Sequence, residues 1–286
     1  MSPGAVWLHE LVVAPAAFAL AACHARRALG AYRAGIEMLS LGLYGFALEW
    51  VAMRVFASHS YGDAWALAPL GVPLAVAAVW AALIPSALAL VGRIGYASPL
   101  GRGGAAALLG IALDLLMEPV AVRTGLWRWT PPGPWLEIPV GNFVGWGVVV
   151  GGWAWGAEAW GRAEDGVRHA LGRVALGTGV LLALLAVGSA WRTFAAERLF
   201  EGAAGWMLWA VLLVLAGALR LKRRVAAEGP TLAGRLAVAP GPLPGLVIVL
   251  IFATFAADAL RLGGVLVTLA AGSALVVLSV LLPRPD

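Results

Sequence analysis

Five carboxylic acids, Glu10, Glu49, Asp114, Glu118 and Asp258, stand within or beside long apolar runs of the chain. A charged side chain at the centre of a bilayer costs at least ~2.5–3.5 kcal/mol on insertion scales, so acids in such places point to function. Glu49 and Asp114 have only apolar sequence neighbours. Glu118 follows Asp114 by four residues, which puts both on one face of a helix. Loss of water favours the neutral form of a carboxyl group, and a second acid nearby favours it further. A neutral acid in a dry site can protonate a weak base such as an alkene. A bound water would capture the tertiary cation that results; without water the cation would cyclise.

Aromatic residues gather around the same acids: Trp50, Tyr61, Trp65, Trp127, Trp129, Trp135, Phe143 and Trp146. An interfacial belt accounts for Trp7, Trp191 and Trp206. The 127–146 cluster is denser than a belt requires and flanks Pro131-Pro132-Gly133-Pro134, which reads as a re-entrant cap over the acids. Ring faces attract positive charge, so aromatic walls beside acids suit a cationic intermediate. Asn142 lies close enough to orient a water. Plainer readings apply elsewhere: His9 and Glu10 as interfacial residues, Glu37 as a solvated or snorkelling one, and Asp258 as a partner of Arg261.

The elements that carry these residues follow from composition. Sixty-two per cent of the 286 residues are apolar and 12% are charged, against roughly 45–50% and 25% in soluble domains. The reading is a polytopic all-α integral membrane bundle, a single transmembrane domain over 1–286. Apolar runs of about 20 residues predict nine helices at 5–23, 35–57, 66–91, 103–122, 138–160, 172–193, 203–221, 241–260 and 263–282. The last two fuse in an eight-helix reading. With the N-terminus outside and the C-terminus inside, every inner loop is net basic and holds most of the 20 Lys and Arg, as the positive-inside rule requires. A bacterial inner membrane is the expected location. In that topology Glu49 and Asp114 each lie eight residues, about 12 Å, below the outer end of their helix. Leu20-Ala21-Ala22-Cys23 has the form of a lipoprotein cleavage box, but no Lys or Arg precedes the apolar run, so the expectation is an uncleaved first helix. Spacings such as Gly147–Gly151 and Gly152–Gly156 predict close helix packing.

Several chemistries are excluded. No Gly-rich phosphate loop or nucleotide fingerprint is present. The paired Asp-rich motifs of magnesium-diphosphate enzymes are missing, the four histidines are dispersed, and the single Cys23 makes no internal disulfide. The net charge of +5 reflects loop topology and implies no nucleic-acid partner. What remains is acid–base chemistry without a cofactor on a lipid-soluble molecule, or transport.

The segment DLLMEPVAVRTGLWRWTPPGPWLEIPVGNFVGW, Asp114 to Trp146, resembles the signature of the CruF-type carotenoid 1′,2′-hydratases. EWVAMRVFASHSYGDAWALAPLGVPLAVAAVW, Glu49 to Trp80, is similar to a second block of that family. The two stretches cover less than a quarter of the chain. The resemblance implies addition of water to the ψ-end double bond of an acyclic or monocyclic carotenoid of the lycopene or γ-carotene type. The positions that match its pattern are Glu49, Tyr61, Asp114, Glu118, Trp127, Trp129, Asn142 and Trp146. Two positions depart from it: Glu118 stands where Asp is usual, and Ile138 where Val is common.

The expected function is therefore a carotenoid hydratase. Asp114 and Glu49 serve as proton donor and water-activating partner in undecided order, with Glu118 in support. Tyr61, Trp65, Trp127, Trp129, Asn142, Phe143 and Trp146 bind the end group. The partners are carotenoid, water, membrane lipid and other enzymes of carotenoid synthesis, with no metal. The rivals are a membrane carotenoid cyclase, a proton-coupled transporter with acids spread along a path, and a scaffold for a biosynthetic complex.

Overall fold

The computed structural model describes residues 3–94, 98–134, 136–159 and 166–200. Helix α1 (Pro3–Leu8) passes through a π-helical turn (His9–Val13) into α2 (Ala14–Leu29). Gly30, at φ 78°, divides α2 from α3 (Ala31–Val55), a backbone state that a residue with a Cβ disfavours. Then follow α4 (Leu74–Ile94), α5 (Pro99–Thr124), α6 (Val140–Ala159) and α7 (Gly166–Thr193), with 3-10 turns at Pro69–Gly71 and Ala196–Phe200. The start of α5 is set by Ser98, whose hydroxyl accepts the Gly101 N–H at 3.1 Å, and by Pro99, whose missing N–H is harmless in a first turn. Its end is set by Gly125 in the left-handed region.

Val6–Leu29, Ala31–Val55 and Gly166–Thr193 are long and apolar enough to cross a membrane. Each leaves a stripe of large apolar side chains uncovered by described residues, among them Leu11, Leu39, Leu43, Leu171 and Leu182. Such surface suits lipid contact and does not suit water. The expected spans at 203–221, 241–260 and 263–282, with Trp206, Asp258 and Arg261, lie outside the described residues, as does Trp135.

Three expectations need correction. The bundle is mostly helical, not all-α: β1 (His59–Tyr61) and β2 (Trp127–Trp129) form a two-stranded antiparallel ribbon, His59 opposite Trp129 and Tyr61 opposite Trp127. The helix expected over 66–91 begins only at Leu74, because Pro69, Gly71 and Pro73 break the run into a loop. Glu10, read as interfacial, is buried, and Glu37, read as solvated, is half-buried and paired. Glu10 accepts the Ala66 and Leu67 N–H groups at 2.9 and 2.8 Å, supplying acceptors to a loop whose amides have no helical partner. Glu37 receives Arg173 Nε at 2.6 Å and lies 3.0 Å from His169 Nε2, tying α3 to α7.

Helix α6 is cemented on two faces by glycine. On one, a Cβ at Gly151 would stand 2.8 Å from Ala107 Cβ and 2.9 Å from the Gly103 carbonyl of α5. On the other, a Cβ at Gly156 would collide with Leu176 of α7, and one at Gly152 would press on Val180. Small residues thus let the backbones approach, as the Gly-x-x-x-Gly spacings predict. A methyl at Gly151 has backbone on one side and cannot be absorbed by a side-chain turn. Gly151→Ala is expected to lower stability by ~1–3 kcal/mol, read as a reduced melting temperature in detergent, whereas Gly35→Ala, with open space at its Cβ, is expected to change it little.

Candidate active site

Helices α3, α4, α5, α6 and α7 and the ribbon line a cavity of about 680 Å³. Its walls explain the local sequence pattern. In a strand alternate side chains share a face, so His59 and Tyr61 of β1 and Trp127 and Trp129 of β2 point inward together, while Arg128 points out. The ribbon is a lid of four rings, extended where the Thr130 N–H donates to the Ser58 carbonyl at 2.8 Å. Pro131, Pro132 and Gly133 also border the cavity, in keeping with the expected cap.

Of the three acids that line it, Glu49 and Glu118 come from the long helices α3 and α5. Glu49 of α3 accepts two donors: Trp80 Nε1 donates to Oε1 at 2.6 Å, and Tyr61 Oη donates to Oε2 at 2.8 Å. His59 Nε2 lies 3.1 Å from the same Oε2. Burial first, then the Glu49 and Glu118 carboxyls, hold the Tyr61 phenol well above its usual range, so it stays a donor. Glu118 of α5 takes Trp127 Nε1 at 3.0 Å and Trp129 Nε1 at 2.9 Å, both on Oε2. Its Oε1 accepts no hydrogen bond among the described residues. The two indoles of the W-x-W strand thus aim this carboxyl group while their faces line the space in front of it.

Asp114 sits one turn from Glu118, with 0% exposure, and is not among the cavity-lining residues. Its Oδ2 accepts Asn142 Nδ2 at 2.7 Å, and its Oδ1 is buried without a partner among the described residues. Asn142 does line the cavity, so Asp114 reaches the site through it, and it interacts electrostatically with Glu118 and Glu49. Trp146 lines the wall and packs on Trp80 at 4.3 Å. Trp65 and Phe143 are buried but stand outside the lining; Trp65 Nε1 donates to the Leu126 carbonyl at 3.3 Å.

Sequence reasoning missed several cavity residues, His59, His9 and Glu197 among them. His59, dismissed with the scattered histidines, lies between Glu49 and Trp129, 5.0 Å from the latter ring. The signal was its period of two with Tyr61, matching the period of two in Trp127 and Trp129. His9 lines the cavity from the π turn, edge-on to Trp65 at 5.7 Å; wide turns of this kind re-aim side chains and are common at functional sites. Glu197, which also lines the cavity, accepts the Val140 N–H, the Gly141 N–H at 3.1 Å and Trp191 Nε1 at 2.9 Å. It thereby caps α6 and ties the 3-10 turn to its start.

The arrangement is a largely apolar cavity lined by the carboxyl groups of Glu49 and Glu118, by indole rings and by an amide able to hold water. Such a chamber suits proton transfer to and from an apolar molecule. No curated protein and no solved structure matches the chain. Residues 8–212 match the family described as carotenoid biosynthesis protein, a stretch that contains every wall of the cavity. The chain belongs to that family, and its role lies in carotenoid biosynthesis.

Proposed function

We propose that the chain hydrates the terminal 1′,2′ double bond of an acyclic or monocyclic carotenoid. The observation that carries this reading is that Glu49 and Glu118 line one ring-walled cavity. One acid delivers a proton to C2′, leaving a tertiary cation at C1′. The faces of Trp127, Trp129 and Trp146 and the ring of Tyr61 stabilise that charge. A water adds to C1′ and gives its proton to the other acid; the enzyme's proton count is unchanged, and passage of that proton back to the first acid resets the site. Asn142 favours hydration over cyclisation: its Nδ2 is committed to Asp114, so its Oδ1 is left to orient a water. Asp114 is a positioning residue in this scheme, acting through Asn142. Membrane-crossing helices around the site fit a substrate that arrives dissolved in lipid.

The test is expression in a bacterium that accumulates lycopene or γ-carotene, followed by mass analysis of the pigments. The expected product is heavier than the substrate by one water. An isomer of unchanged mass would show a cyclase, and an unaltered pigment would remove both readings.

A further inference from the structure

The hydrogen bonds around His59 fix a proton inventory, and they decide which acid starts the reaction. A hydroxyl has one hydrogen. That of Ser58 is directed at the Ala52 carbonyl, 3.0 Å away. The 2.9 Å contact between Ser58 Oγ and His59 Nδ1 is therefore one in which Nδ1 donates. His59 Nε2 then faces Glu49 Oε2 at 3.1 Å. With Nδ1 protonated, a neutral ring would present a bare lone pair at Nε2. Opposite a carboxylate oxygen that contact is repulsive and leaves a net buried charge; one proton between the two atoms removes both penalties.

We propose that Glu49 and His59 hold one exchangeable proton between them and that this pair is the proton donor to the carotenoid, with Glu118 as the base. The inference rests on the hydratase reading and supplies the order that reading leaves open. In the forward step the shared proton leaves the pair and a C–H bond forms at C2′. Water oxygen then bonds to C1′, and the proton it loses goes to Glu118 Oε1, the oxygen not occupied by indoles. A cavity water returns that proton to the pair before the next turnover. The other titratable groups around the cavity and the pair are Tyr61 on its own strand, Glu118 and Asp114 on α5, His9 from the π turn, Arg192 of α7 and Glu197 of the following 3-10 turn. Trp80 of α4 and Asn142 of α6 do not titrate.

Two measurements test this. In protein labelled with nitrogen-15 at histidine, His59 is expected to show a protonated Nδ1 and an Nε2 signal displaced by Glu49→Gln. Ser58→Ala, which removes the acceptor for Nδ1, is expected to release the ring to the other tautomer. A wild-type Nε2-protonated neutral ring that is indifferent to Glu49→Gln would overturn the proposal whether or not the protein hydrates a carotenoid. The second measurement is the pH profile of hydration in His59→Gln, which keeps a donor toward Glu49 but cannot carry a proton. The alkaline limb is expected to move in this variant; an unchanged limb would show that His59 is only structural. If the wild type makes no hydrated product, the hydratase reading fails, and the nitrogen spectrum still decides the proton inventory.

Discussion

Glu118→Gln is expected to reduce hydration by ~10²–10⁴-fold, the range for loss of a positioned acid or base, while the protein still folds and inserts. The substitution suits this test because the geometry tolerates it. Both indole N–H groups converge on one oxygen of Glu118, and the carbonyl oxygen of Gln can take that place with its amide nitrogen where Oε1 stood. What disappears is the capacity to accept a proton from water. The readout is product formed per amount of membrane protein, with the melting temperature in detergent as the control for folding. Full activity with unchanged melting would remove Glu118 from the reaction. Asp114→Asn provides the contrast. Asn keeps an oxygen for the Asn142 amide, and Asp114 does not line the cavity.

The acids and the rings of this site were legible in the sequence because each was anomalous there. A carboxyl group in an apolar run has a cost that local structure does not remove, so Glu49, Asp114 and Glu118 stood out singly, and helical rise put them at similar depth. Trp127 and Trp129 stood out by density. Their partners were not legible, for a physical reason. Trp80 donates to Glu49 across 31 positions and Asn142 to Asp114 across 28, and no local pattern encodes which helices adjoin. His59 illustrates the limit: a three-residue strand is too short to show a convincing alternation, and only its pairing with β2 turns the ring toward Glu49. Glu10 was misread because an apolar helix near a chain terminus suggests an interface. Its actual task, capping two loop amides, depends on Pro69, Gly71 and Pro73 unwinding a segment that hydropathy alone makes helical.

Glu49→Gln is expected to abolish hydrated product to a similar or greater degree, and its coupling to His59 gives it a second signature. The amide can be accommodated: its oxygen accepts Trp80 Nε1, and its nitrogen donates to His59 Nε2 and the Tyr61 hydroxyl, both able to accept once no proton is shared. Folding stability should therefore move little, and a loss of activity reports on the proton. If the two residues form one proton-holding unit, His59→Gln added to Glu49→Gln should cost almost nothing more, because residues that act as a unit are not additive. Independent roles would instead multiply the two losses. The comparison of single and double variants by pigment mass thus separates a donor made of two residues from a carboxyl group that merely has a histidine beside it.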